Sequence, residues 1–105
     1  MSNSGQNVKD EAVREVAFGD LNATYTALGS ALAHDCFTLS IFNDTDANVY
    51  VSTDESTDMK KIAAQTGRVF DYKTNDMYRK KDTQFYVKYD TAPSSGSFWI
   101  EVEYV

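Results

Sequence analysis

An all-β fold, an antiparallel sandwich or barrel of seven or eight short strands, is predicted by three features of the chain. The final segment alternates strictly, with Phe98, Ile100, Val102 and Tyr104 on one face and Trp99, Glu101, Glu103 and Val105 on the other. Comparable runs of β-branched and aromatic residues recur upstream at about 8 to 12 residue spacing, divided by clusters of Gly, Asp, Asn and Ser. No segment sustains the apolar period of a long helix.

Residues 1–12 are polar and contain Gly, Ser and Asn, with too little apolar surface to offset their ordering entropy, so they are expected to form a flexible arm. A single domain over 13–105 follows. Residues 13–18 suit a first strand or, with Lys9 to Val16, a short helical turn. Gly19-Asp20 reads as a turn, and Thr24-Tyr25-Thr26-Ala27-Leu28 as a strand broken by Gly29-Ser30. Residues 30–36 read as one helical turn or a crossing loop. Residues 37–42 and 48–53 look like the two arms of a hairpin, with Phe37, Leu39 and Ile41 sharing one face and Val49 and Val51 pointing inward. After the charged tip 54–58 comes a short apolar patch, Ile62-Ala63-Ala64. Strands are then expected at 68–72, through Phe70 and Tyr72, and at 84–89, where Phe85, Val87 and Tyr89 share a face.

A chain of 105 residues fits one domain and buries enough surface for a core without staples. The lone Cys36 can form no intrachain disulfide and no metal-type cysteine spacing. A net charge of -6, from 16 acidic against 10 basic residues, disfavours nucleic acid as a partner, because phosphate-tracking surfaces are basic. No run approaches the roughly 20 apolar residues that span a bilayer, and the polar N-terminus holds no apolar signal core, so the chain reads as soluble and non-secreted. Asn22-Ala23-Thr24 and Asn43-Asp44-Thr45 match the glycosylation acceptor pattern, which means little without a signal peptide.

Asp44, Asp46, Asn48 and Glu55 stand at positions 1, 3, 5 and 12 of a calcium-loop register. The register fails at position 6, where a sharp turn needs glycine and the chain has the β-branched Val49, and its flanks are strand formers. The segment therefore reads as an Asx-rich turn, and no metal or other cofactor is expected. His34, Asp35 and Cys36 are adjacent, but adjacency is not geometry, and Cys36 at the edge of an apolar strand reads as a small buried hydrophobe. Asp54 and Asp58 could suggest a paired-carboxylate hydrolase, yet a loop tip supplies neither cleft nor fixed separation. No catalytic residue is expected. Lys80, Lys81, Arg79 and Lys73 form the one basic cluster and read as a solvated loop. Trp99, Tyr50 and Phe42 are candidate protein-interface residues, since outward aromatics anchor interfaces.

The segments Ala17-Phe18-Gly19-Asp20-Leu21, Thr24-Tyr25-Thr26-Ala27-Leu28, Phe42-Asn43-Asp44-Thr45-Asp46, Val49-Tyr50-Val51-Ser52, Gln84-Phe85-Tyr86-Val87-Lys88 and Ser97-Phe98-Trp99-Ile100-Glu101-Val102-Glu103-Tyr104, taken in order, resemble small structural proteins of tailed-bacteriophage virions. The likeness covers about residues 16–105 and departs at Glu55-Ser56, where a Gly is usual, and over 62–67. It implies a β-sandwich of jelly-roll-like form, homo-oligomeric and assembled in the host cytoplasm. Such a module binds capsid, head–tail collar or tail proteins as a decoration or accessory, and no active site transfers with the likeness. The alternative from the residues is a carbohydrate-binding or cell-surface-binding module using Trp99, Tyr25, Tyr50 and Tyr78.

Overall fold

The computed structural model describes residues 7–72 and 77–105. Among the described residues the strands are β1 (Lys9–Asp10), β2 (Arg14–Ala17), β3 (Thr26–Ala27), β4 (Thr38–Asn43), β5 (Val49–Ser52), β6 (Lys60–Ile62), β7 (Thr66–Asp71), β8 (Tyr86–Tyr89) and β9 (Ser97–Tyr104), with a 3-10 turn at Phe18–Asp20. One sheet runs β1-β9-β4-β7, with β2 also pairing along β9, and the other runs β3-β8-β5-β6. Every pairing is antiparallel. Without β1, the orders β2-β9-β4-β7 and β3-β8-β5-β6 are those of an eight-stranded jelly roll. The all-β sandwich expected from alternation is thus the architecture observed.

Alternation places the core as anticipated. Leu39, Ile41, Phe98, Ile100 and Val102 from one sheet meet Val49, Val51, Ile62 and Val87 from the other, and all are at most 2% exposed. Leu21, Leu28, Leu32, Cys36 and Phe85 close the ends, and Val16, Phe70, Tyr72, Tyr89 and Tyr104 pack partly buried against this cluster. Each fully buried aliphatic or aromatic side chain contributes on the order of 2 kcal/mol, so this facing set is the main stabilising term.

Two expectations change. Residues 1–6 of the expected arm lie outside the described residues, but within the remainder Lys9 pairs with Tyr104 and Asp10 with Glu103. The arm segment therefore supplies a ninth strand, two residues long and too short to leave a periodic signal. The expected hairpin between 37–42 and 48–53 does not form. β4 pairs with β7 and β9, whereas β5 pairs with β6 and β8, so residues 44–48 carry the chain from one sheet to the other. Tight hairpins favour positive φ in their turns, and none of residues 44–48 adopts it. Here the chain instead folds around a buried polar side chain.

That side chain is Asn43, 1% exposed at the inward end of β4. Its Nδ2 donates to Ala47 O (2.9 Å), Ile62 O (2.9 Å) and Ala63 O (3.2 Å). Its Oδ1 accepts from Thr45 N (3.0 Å) and lies 2.6 Å from Thr45 Oγ1. One amide thus ties the β4–β5 connection to the β6–β7 connection. Gln65, at φ 59°, reinforces the link by donating from Nε2 to Asp44 O and Thr45 O. Gly96, at φ 89°, lies so close that a Cβ there would stand 2.0 Å from Asp44 O, so the β8–β9 loop can seat on this connection only with glycine.

Asn43→Ala would leave buried carbonyls and an N–H without partners, at an expected cost of about 2 to 4 kcal/mol in urea unfolding. Asn43→Asp is nearly isosteric but sets an oxygen against three carbonyls. It is expected to cost more at neutral pH and to recover partly as the carboxyl protonates.

Candidate functional site

The four calcium-register residues do not converge. The Asp46 carboxylate accepts from Ser94 N (2.8 Å) and from the Ser94 hydroxyl, and those two bonds hold it below the usual carboxylate range. Asn48 Oδ1 accepts from Ala64 N (3.2 Å), while the Asp44 backbone bonds Ser97 O and the Gln65 side chain. Glu55 sits on a different loop, at φ 68°, where its charge helps to raise the Tyr86 hydroxyl after burial does. Val49, where a calcium loop needs its glycine, is a fully buried strand residue. Among the described residues no group of three or more His, Cys, Asp or Glu side chains is placed to hold a metal ion. The acceptor-pattern Asn43 is sealed inside the fold.

Asp54 and Asp58 also act locally. Asp54 accepts from Ser56 N, Thr57 N, Thr57 Oγ1 and Ser52 Oγ, all within 3.0 Å, and the Thr57 and Ser56 amides lead in pulling its carboxyl far below the usual range. Asp58 instead accepts from the Tyr25 hydroxyl (2.6 Å) and pairs with Lys88 Nζ (3.2 Å). Each carboxylate organises its own stretch of loop. In the basic cluster, Arg79 donates to Tyr72 OH and bridges Cys36 through the backbone, and Lys81 N donates to Asp35. Lys73 lies outside the described residues.

His34 and Cys36 do meet a third group, Glu11. The side chain of Glu11 is 7% exposed, and Oε1 lies 2.7 Å from Arg14 Nη2. Oε2 accepts from Ala33 N (3.1 Å) and lies 2.9 Å from His34 Nδ1 and 3.8 Å from Cys36 Sγ. Burial alone would raise the Glu11 carboxyl, but hydrogen bonds from Arg14, His34 and Ala33 outweigh it and bring the group down to about 2. The His34 ring stacks on Tyr104 at 3.6 Å. Burial, followed by the Glu11 charge, pushes the Cys36 thiol up to about 11, which keeps it protonated and a poor nucleophile. The thiol donates toward His34 O (3.4 Å), so the arrangement is a tie between chain segments. Arg14 extends that tie, donating from Nε to Ser30 O (2.9 Å).

The candidate interface aromatics divide between the two outer faces. Phe42 and Trp99 are cross-strand partners on the β4–β9 pair, with ring centroids 5.3 Å apart. Trp99 Nε1 donates to Glu101 Oε2 (3.1 Å). Beside them lies an open groove of about 200 Å³ lined by Phe42, Asp44, Gln65, Thr66, Gly67 and Trp99. Phe42 leans over Gly67, where an added Cβ would come within 2.8 Å of its ring. Tyr50 faces out of the opposite sheet, flanked by Lys88 (5.6 Å) and Lys61 (5.9 Å), with Tyr25 on the far side of Lys88 (4.8 Å). Tyr78 is exposed ahead of β8.

The sequence does not single out Glu11 and Arg14. Its available signal was Arg14 and Val16 sharing one face of a short strand, which puts a cation on an inward position in need of a partner. Nor does it single out β7, whose residues are exposed apart from the half-buried Phe70, with Val69 63% exposed. No family model, curated protein or solved structure matches the chain.

Glu11 is charged in the fold down to a lower pH than in the unfolded chain, so its contribution is complete above about 4.5 and is lost as pH falls toward 2. Glu11→Gln is expected to lower stability at pH 7 by about 3 kcal/mol and to flatten that acidic decline, as read from urea unfolding across pH. Cys36 is expected to resist a thiol-specific reagent at pH 8 in the native protein and to react fully in denaturant, as followed by absorbance.

Proposed function

We propose that the protein is a non-enzymatic structural component of a tailed-phage virion, assembled in the host cytoplasm, that binds capsid, head–tail or tail proteins stoichiometrically. The observation that carries this reading is the strand order β2-β9-β4-β7 facing β3-β8-β5-β6, the jelly roll found in viral capsid and lectin domains. Because a fold alone leaves function open, the surface supplies a second support. Asp46, Asn48 and Asp54 are engaged in holding loops, whereas the Phe42–Trp99 pair with its groove, and Val69 on β7, present apolar groups outward. Such a surface suits contact with protein. The net charge of -6 favours protein partners over phosphate, and the virion setting is carried by the segment-by-segment resemblance.

The carbohydrate reading has weaker support, since Trp99 lies on one outer face and Tyr25 and Tyr50 on the other, so they cannot form a single stacking platform. Quantitative mass spectrometry of purified particles tests the proposal. A fixed stoichiometric ratio to the major capsid protein is expected, and absence from mature particles removes the idea. Trp99→Ala, at a half-exposed position, is expected to stay folded by circular dichroism while incorporation falls about tenfold.

A further inference from the structure

We propose that the protein binds a short aliphatic monocarboxylate in a cavity at one end of the sandwich, with Arg79 and Lys60 as the groups that hold its charge. The cavity, of about 90 Å³, lies where the β5–β6 loop faces the connection ahead of β8. Val51, Met59 and Phe85 give it apolar walls, and Lys60 and Arg79 bring two cations to it. Among the described residues no carboxylate borders it, an uneven placement in a chain with 16 acidic against 10 basic residues. The two hydroxyls in its wall are already engaged, Ser52 Oγ with Asp54 and Thr53 Oγ1 with the Met59 sulfur. The cations are therefore the polar groups left to meet a ligand.

Two independent features make those cations unusual. Among the described residues, Arg79 Nε is the only buried side-chain nitrogen or oxygen without a hydrogen-bond partner. Buried donors are nearly always paired, and an unpaired N–H on a charged group costs more than one on a neutral group. The rest of Arg79 is held in place. Its Nη2 donates to Tyr72 OH (3.1 Å), its guanidinium lies 5.5 Å from the Tyr72 ring, and its backbone exchanges hydrogen bonds of 2.8 and 2.7 Å with Cys36. Lys60 alternates with the fully buried Ile62 and so stands on the inward side of β6, opposite Val51. A lysine on an inward position normally has a carboxylate beside it, whereas Lys60 Nζ rests 4.1 Å from the Phe70 ring, a contact that leaves it N–H donors for an oxygen. A carboxylate supplies the acceptor that both groups lack, and its planar oxygens suit a guanidinium edge. The apolar walls take a hydrocarbon tail. Since a cavity of about 150 Å³ holds benzene, one of about 90 Å³ suits a tail of about three carbons. Nε is covered by protein atoms, so the guanidinium has to turn toward the cavity as the ligand enters, a movement that can be followed at that atom.

Titration of the isotope-labelled full chain with butyrate, followed by NMR, tests the site. Saturable shifts centred on Val51, Met59 and Lys60 are expected, with the Arg79 Nε–H resonance moving downfield as it gains an acceptor. Butanol, which has the tail without the charge, and inorganic phosphate, which has charge without the tail, are each expected to bind about tenfold more weakly or less. Lys60→Met keeps the length of the side chain and removes its charge, so the variant is expected to stay folded by circular dichroism while its affinity for butyrate falls about tenfold. Butyrate that gives no saturable shift overturns the proposal, as does butanol or phosphate binding as tightly as butyrate. Undiminished butyrate affinity in folded Lys60→Met does the same, and so does saturable binding that leaves the Arg79 Nε–H resonance unmoved.

Discussion

The side-chain amide of Asn43 holds together two connections that each have to carry the chain across the sandwich. From β2 onward every connection except β5 to β6 changes sheets, and the two shortest of these, residues 44–48 and 63–65, meet at Asn43. A crossing over so few residues turns backbone carbonyls inward, where water cannot reach them, and an unpaired carbonyl there costs as much as a lost hydrogen bond. Asn43 satisfies two such carbonyls, of Ala47 and Ile62, reaches the part-buried Ala63 O as well and, through Oδ1, also takes the Thr45 amide. With that end sealed, Val49 and Ile62 start and finish their strands in register with the core facing them. The apolar core supplies most of the stability, and this polar plug ties together the two connections that cross beside it.

At the N-terminal side a second tie works by charge. Glu11 and Arg14 lie nearly buried and satisfy each other, and their remaining hydrogen-bonding groups reach the backbone at Ser30 and Ala33. A buried ion pair adds little over a well-packed apolar pair of the same shape, but losing one partner leaves the other charge exposed to the low dielectric. The pair ties the N-terminal strands to the segment that follows β3, at Ser30 and Ala33. His34 and Cys36 belong to that tie, which accounts for their closeness without assigning them chemistry.

The loops and the sheets divide the work. Acidic and amide side chains of the loops are turned back onto their own backbone, as Asp54 does at Ser56 and Thr57 and Asp46 does at Ser94. The sheets keep the outward aromatics, Phe42 and Trp99 on one and Tyr50 on the other.

Alternation made much of the fold legible in advance. Phe98, Ile100 and Val102, Val49 and Val51, and Phe85 and Val87 are buried as their period required, because a strand places successive side chains on opposite faces whatever its neighbours are. The misfit of the calcium-loop register at Val49 was equally local, a matter of one residue's backbone preference. Pairing was not local. Residues 37–42 and 48–53 have the composition of a hairpin, and nothing within them states that their partners are β7 and β9 on one side and β6 and β8 on the other. That choice follows from distant groups, above all the carbonyls of Ile62 and Ala63 that Asn43 meets only once the chain has folded. Glu11 and His34, 23 residues apart, illustrate the same limit. The sequence by itself determined which residues face the core, because periodicity is a property of the strand. The tertiary structure alone decided which strands are neighbours and which polar groups become buried partners, because both depend on contacts between segments far apart in the chain.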